Sequence, residues 1–186
     1  MSDTKTQIIQ IAEQLVRSGG YNGFSFREIA AEIGIRSASV HYHFPSKEDL
    51  ALAVANRYKQ NFFEALGDPA PDGGNTKSQL AHYGQVFQDS FKASRSACLC
   101  GMLSNEIALL PAVVKQVLVS FIDENLKWLQ QAITYGASDA DSAKVKQQAQ
   151  LVYAALEGAM SVSALMQSDE WLQSVSNLVA EIVTPD

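Results

Sequence analysis

Between Arg36 and Lys47 the chain concentrates Arg36, Ser37, Ser39, His41, Tyr42, His43 and Lys47. These side chains have little use in a core and much use against a polyanion. Small hydroxyls and a guanidinium can approach base edges, while Tyr, His and Lys donate to phosphate oxygens. The types and order assign Tyr42, His43 and Lys47 to phosphates, and Arg36, Ser37 and Ser39 to base edges. His41 lies among them, and Ser25 and Arg27, just upstream, extend the candidate surface.

Chemistry of this kind needs rigid elements behind it, and the same stretch supplies their grammar. Phe26, Ile29, Ala30 and Ile33 fall at i, i+3, i+4 and i+7, one face of a helix. Ser25 precedes that run and Glu28 follows three residues later, the spacing of a capping box. Gly34 stands just past the last periodic residue, where positive φ ends a helix. Ile35 is expected to return to the core and Ser37 to cap a short helix through His43, with Val40 and Phe44 facing inward. A bracing helix, a sharp turn and a second helix with a polar outer face make a helix-turn-helix. Pro45 and Ser46 then open a third helix, with Ser46 and Asp49 as a second capping pair. Its free N–H groups, with Lys47, form a seat for phosphate.

Phe24-Ser25, Ile29-Ala30, Ile33-Gly34-Ile35, Tyr42-His43-Phe44 and Ser46-Lys47-Glu48-Asp49-Leu50 together resemble the DNA-binding domain of the tetracycline-repressor-like (TetR/AcrR) family of transcriptional regulators. The resemblance covers roughly the first quarter of the chain. It implies an all-α protein with an N-terminal three-helix DNA-binding domain and a C-terminal helical domain for ligand binding and dimerisation. It further implies a homodimer on double-stranded operator DNA of pseudo-palindromic sequence, released by a small-molecule effector. His41 departs from the pattern, standing where many members carry Tyr.

Composition is compatible with that reading. Of 186 residues, 47% are apolar and 18% charged, which suits a packed core better than a solvated coil. No run approaches the ~18 apolar residues of a membrane span, and Met1–Gln7 lacks the basic-then-apolar order of a signal peptide. A cytoplasmic protein with no membrane partner is expected. The net charge of −6 is unevenly placed. Met1–Leu66 holds seven basic and seven acidic residues, so the deficit lies wholly beyond Leu66. With no strong basic patch, DNA affinity must rest on a few placed contacts and on doubling through a dimer.

Helical periodicity continues to the end of the chain. The expected helices run from about Asp3 to Arg17, through the two of the motif, then Ser46 to Leu66, Lys77 to Ser94 and a short one around Leu99 to Leu109. A long helix opened by Pro111, one from Ser142 to Gln167 and one from Asp169 to Val183 complete the set. Residues 67–75 and the stretch from Tyr135 to Asp141 are breaker-rich and read as loops. The division expected is a DNA-binding domain over residues 1–48 and a ligand-binding and dimerisation domain over 49–186. Ala154, Ala155, Gly158, Ala159 and Ser161 give the penultimate helix a small-residue face. With the last helix it either forms a four-helix intersubunit bundle or closes the monomer core.

Several other groups could carry chemistry. Tyr83, Phe87, Phe91, Met102, Phe121, Trp128, Tyr153 and Met166 are an aromatic- and Met-rich set that could line a pocket for an apolar or planar ligand, and ordinary core packing accounts for each equally well. Cys98 and Cys100 begin a short helix near Arg95; they are either redox-sensing thiols or buried small hydrophobes. Glu106 and Glu157 sit among apolar neighbours, but no spacing pairs them. His41-x-His43 is too small a set for a metal site. No nucleotide loop, nucleophile elbow or zinc-hydrolase motif is present, so no catalysis, metal or cofactor is expected.

Overall fold

Ser25 caps the helix expected of it. Its hydroxyl accepts from the Glu28 N–H at 3.2 Å and donates to the Glu28 carboxylate at 2.7 Å. The computed structural model describes residues 3–69, 75–135 and 142–183, and every regular element among them is a helix. These are α1 Thr4–Gly19, α2 Phe26–Ile33, α3 Ser37–His43, α4 Lys47–Leu66, α5 Thr76–Ser94, α6 Leu99–Ser104, α7 Ala112–Ile133, α8 Ser142–Met166 and α9 Glu170–Ile182. Most ends fall within two residues of the periodicity; the short helix α6 is the exception, stopping at Ser104.

Two compact units result, and the chain passes from one to the other within α4. The first combines the chain up to Asn61 with Leu99–Ser120; the second combines Phe62–Cys98 with the chain from Phe121 onward. The reason lies in burial along α4. Leu50, Val54 and Tyr58 are buried with the first unit, so that unit extends well into the helix.

In the first unit, α1 packs on α2, α3 and α6, and α2 packs on α3. Ile8, Ala12 and Val16 are the buried stripe of α1, with Ile29 and Ala30 of α2 and Val40 and Phe44 around α3. Gly34 takes the left-handed conformation, φ 78°, and its N–H bonds back to Ala30 and Ala31. The Ile35 N–H also returns to Ala30 O, at 2.9 Å, which closes α2 with the double bond of a Schellman turn. Ser37 differs from expectation. It is the first helical residue, Arg36 holds the cap position, and no side chain caps the helix. The Ser39 N–H bonds the Arg36 carbonyl at 2.8 Å instead. At α4, the Ser46 hydroxyl accepts from the Asp49 N–H at 3.1 Å while the Asp49 carboxylate accepts the Ser46 N–H at 3.0 Å, a complete capping box.

In the second unit, α5, α8 and α9 pack on one another. Asn75 and Ser78 form a capping box at α5. Gly84 lets α5 approach α9 closely: a Cβ there would meet the Ser176 Cβ at 2.9 Å. Ser163 and Ser176, both buried, are satisfied by Leu172 N–H at 3.0 Å and Leu172 O at 2.7 Å. By length and composition, α8 could cross a membrane, with a window of mean hydropathy 1.2. That value comes from its Ala, Val, Leu and Met content, and its buried stripe, Val145, Ala149, Val152, Leu156 and Met160, belongs to this bundle. Most of the loop expected over 67–75 and most of the turn expected over 135–141 lie outside the described residues, as does the side chain of Ile182.

Candidate functional site

The polar face of α3 is open. Arg36, His41 and Tyr42 are exposed, Tyr42 at 85%, while Ser37, Ser39 and His43 are half-buried. The helix is held from below by Val40 and from its end by Phe44, whose ring carries the Lys5 ammonium at 5.7 Å. His41 is not free-standing: its ring meets Phe26 edge-on at 4.6 Å. Tyr42 and His43 contact each other at 5.3 Å in a similar T-shaped arrangement. One side of a seven-residue helix thus offers hydroxyls, a phenol, two imidazoles and a guanidinium, and the opposite side fixes their pose. Ser25 and Arg27, at the start of α2, are exposed, but the Ser25 hydroxyl is already engaged in its cap.

Lys47 sits differently from a free surface lysine. It is half-buried, with its ammonium 4.5 Å from the Phe24 ring centre and 5.2 Å from that of Tyr21. Burial lowers its pKa against the upward pull of Glu28. The rings fix the side chain near the first turn of α4, where unsatisfied N–H groups and a cation can act together on an anion. Tyr21 is tied in turn. Its N–H donates to the Glu106 carboxylate at 3.0 Å, 85 positions away in the chain. Neither the periodicity nor the motif reveals that link.

The aromatic residues of the second unit gather as a cluster. Phe62, not singled out in the sequence for this role, meets Tyr83, Phe87 and Phe121 at 6.4, 5.5 and 5.1 Å. Trp128 stacks on Tyr83 at 5.3 Å and donates its indole N–H to Gly67 O at 2.8 Å. Phe91 is buried and lies under the Arg95 guanidinium at 4.9 Å. Two expected members fall elsewhere. Met102 is half-buried in the first unit, and Met166 stands 61% exposed at the end of α8, where the chain turns out of the bundle.

The cluster has a polar centre that the sequence did not disclose. The Tyr83 hydroxyl donates to Asn125 Oδ1, and Asn125 Nδ2 donates to Phe121 O at 2.8 Å. The Glu157 carboxyl of α8 accepts hydrogen bonds from the Tyr153 hydroxyl of the same helix and from the Cys98 thiol, just before α6. Burial pushes that carboxyl above its ordinary range, and the two hydrogen bonds pull it partly back. Tyr153 and Tyr83 are both raised by burial and by Glu157. The signals available were Asn125 on an otherwise apolar stripe, and Tyr153 with Glu157 at i and i+4. Cys98 and Cys100 are not joined in a disulfide and are buried at 1% and 2% exposure. Among the described residues no three His, Cys, Asp or Glu side chains gather as a metal site.

Comparison with known proteins agrees with this geometry. Residues 8–54 match the family model described as bacterial regulatory proteins, tetR family. The HTH-type transcriptional repressor NemR of Escherichia coli K12 is 25% identical, with 96% of this chain and 94% of that protein covered. A TetR transcriptional regulator from Legionella pneumophila superposes with a TM-score of 0.90 at 27% identity, covering 99% of both chains. A TetR-family regulator from Agrobacterium tumefaciens gives 0.84, also at 27% identity, over 97% of each. The matched segment contains the capped α2, the Gly34 turn and the polar face of α3, and the long alignments extend the likeness through the second unit. Residues 8–54 thus match the tetR-family DNA-binding domain, the whole chain is similar to tetR-family regulators, and the protein is a DNA-binding transcriptional regulator.

Proposed function

We propose that the protein is a cytoplasmic, homodimeric repressor that binds a pseudo-palindromic operator and leaves it when a small molecule enters the second unit. The observation that carries this reading is the outer face of α3, with Arg36, His41 and Tyr42 exposed on a helix locked by the Gly34 turn and the Ser25 cap. Residues 1–48 are its DNA-binding part. Arg36, Ser37 and Ser39 read base edges; Tyr42, His43 and Lys47 hold phosphates, with Ser25, Arg27 and His41 flanking them. NemR, the relative over nearly the full length, is named a repressor, which favours repression over activation.

The effector reading rests on the aromatic cluster around Tyr83, Phe87, Phe91, Phe121, Trp128 and Tyr153. Ligand release is favoured over thiol chemistry at Cys98 and Cys100, because both thiols are shut off from solvent and oxidation needs access. Transmission needs no wire between distant groups. Helix α4 carries Lys47 in its first turn and Phe62 within the aromatic cluster. A ligand can shift the DNA affinity only by its preference for one state over the other, and a hundredfold release needs about 2.7 kcal/mol.

The test is selection of duplexes from a randomised pool, followed by footprinting. Recovery of an inverted repeat with two half-sites spaced by about one duplex turn is expected. Recovery of no preferred sequence would overturn the reading. Replacing Ser39 should then change the preferred bases, not the affinity for random DNA.

A further inference from the structure

Among the described residues Glu157 has no counter-ion in its own unit. Its Oε1 is closed to solvent and has no hydrogen-bond partner, although the Cys98 thiol and Tyr153 hydroxyl bond the same carboxyl. Lys77, Lys92, Arg95, Lys127, Lys144 and Lys146, the cationic side chains described in this unit, are all exposed. On α5, Gln79 is 6% exposed and neither of its amide atoms has a partner. Gln79 lies one turn before Tyr83, whose hydroxyl is already given to Asn125, and α5 packs on α8. Folded proteins seldom leave buried polar atoms unpaired. Here three such atoms, on Gln79 and Glu157, occur in one unit, and Glu157 lies near enough to Tyr83, which stacks on Trp128, to raise its hydroxyl.

These groups specify a ligand by what they lack. Glu157 offers a buried acceptor that is most favourable to a charged N–H donor. The Tyr83 and Trp128 rings offer π faces, which favour a cation and an apolar or planar body alike. Gln79 supplies both an acceptor and a donor for a second polar group. A carboxylate or phosphate ligand would meet repulsion at Glu157 with no buried lysine or arginine to offset it. We propose that the effector is a protonated amine with an aromatic or apolar body, its nitrogen held by Glu157 beside Tyr153 and its body against the aromatic cluster. The inference rests on the reading of the second unit as the effector-binding part.

The test uses 2-phenylethylamine and 2-(1-naphthyl)ethylamine, each against the alcohol of the same skeleton. Binding to the whole chain without DNA is followed by thermal denaturation and by tryptophan fluorescence, to which buried Trp128 and exposed Trp171 both contribute. The amines should raise the Tm and bind at least ten-fold more tightly than their alcohols. Glu157→Gln, nearly the same shape, should remove that preference, bringing amine affinity down to that of the matching alcohol. Tyr153→Phe, which keeps the carboxylate, should weaken amine binding less than Glu157→Gln does. Circular dichroism confirms that the variants are folded, and if Glu157→Gln is not, the amine–alcohol comparison on the wild type decides alone. Wild-type protein that ignores the amines, or binds alcohols as tightly, overturns the proposal; so does a folded Glu157→Gln protein that retains the preference. Operator binding is measured separately in the absence of all four compounds. Its failure would sink the repressor reading and leave the amine site standing, and the reverse pattern would sink only the amine site.

Discussion

Two side chains carry opposite electrostatic problems, and each yields a measurement. Burial lowers the Lys47 pKa while Glu28 opposes it, and the ammonium lies over the Tyr21 and Phe24 rings. If its ammonium reaches a phosphate, Lys47→Ala should weaken operator and random duplex together and lower the salt slope by about one. The lost cation–π contact should also reduce stability by about 0.5–1 kcal/mol. An unchanged salt slope would confine Lys47 to packing. Glu157 is the converse, an acid raised above 4.5 by burial. Below its unfolded pKa it is protonated in both states and contributes nothing to the pH dependence. As pH climbs past that value the unfolded chain ionises first, so wild-type stability falls relative to Glu157→Gln. The gap stops growing once the folded carboxyl has ionised too. Tyr153 and Tyr83, which face it, are themselves raised and stay neutral throughout this window; Cys98 completes the set. Urea midpoints of both proteins from about pH 4 to 8 measure the gap, and a gap constant with pH would refute the burial argument.

Among the elements, the head was legible because its determinants are local. A cap, a 3.6-residue period and a positive-φ glycine all lie within a few positions of one another, and α2, the Gly34 turn and α3 form where they indicate. What stayed hidden depends on partners distant in the chain. Gly20 reads only as the stop of α1, yet its bare Cα leaves room for the Glu106 carboxylate that accepts the Tyr21 N–H. The two glycines therefore differ. A Cβ on Gly34 meets nothing within 4 Å, so Gly34→Ala should cost only the left-handed conformation, about 1–2 kcal/mol. A Cβ on Gly20, also at positive φ, would overlap Glu106, so Gly20→Ala should cost more. Part of that excess should vanish in a Glu106→Ala background. A double-mutant cycle on denaturation midpoints measures the coupling; additivity would mean that the Glu106 link contributes nothing. The polar centre was hidden for the same reason. Asn125 and Glu157 are single polar letters in apolar helices, and only tertiary packing shows that Tyr83 meets the first and Cys98 the second.

At the scale of the whole molecule, α8 and α9 leave an apolar surface uncovered. Leu151, Ala154, Gly158, Ser161 and Leu165 recur at alternating three- and four-residue steps along α8, and all are exposed. Trp171 and Leu178 do the same on α9, each 53% exposed. The burial pattern accordingly splits the apolar arc of α9: Leu172, Ser176 and Val179 turn inward, while Trp171 and Leu178 do not. Contiguous apolar stripes of this kind mark interfaces, and a self-complementary patch closes a two-fold dimer. A Cβ on Gly158 would meet nothing within 4 Å in its own chain. Gly158→Leu should therefore leave the monomer fold intact and obstruct only a partner. We expect wild-type protein to sediment as a dimer at micromolar concentration and Gly158→Leu as a folded monomer. The consequence for DNA follows from linkage of two weak heads. With net charge near zero up to Leu66, one head alone binds weakly, and the dimer gains by making the second contact intramolecular, by a factor on the order of 10²–10⁴. Gly158→Leu should thus match the wild type on a half-site duplex and lose its advantage on the full inverted repeat. A variant that remains dimeric, or that keeps full affinity for the repeat as a monomer, would place the interface elsewhere.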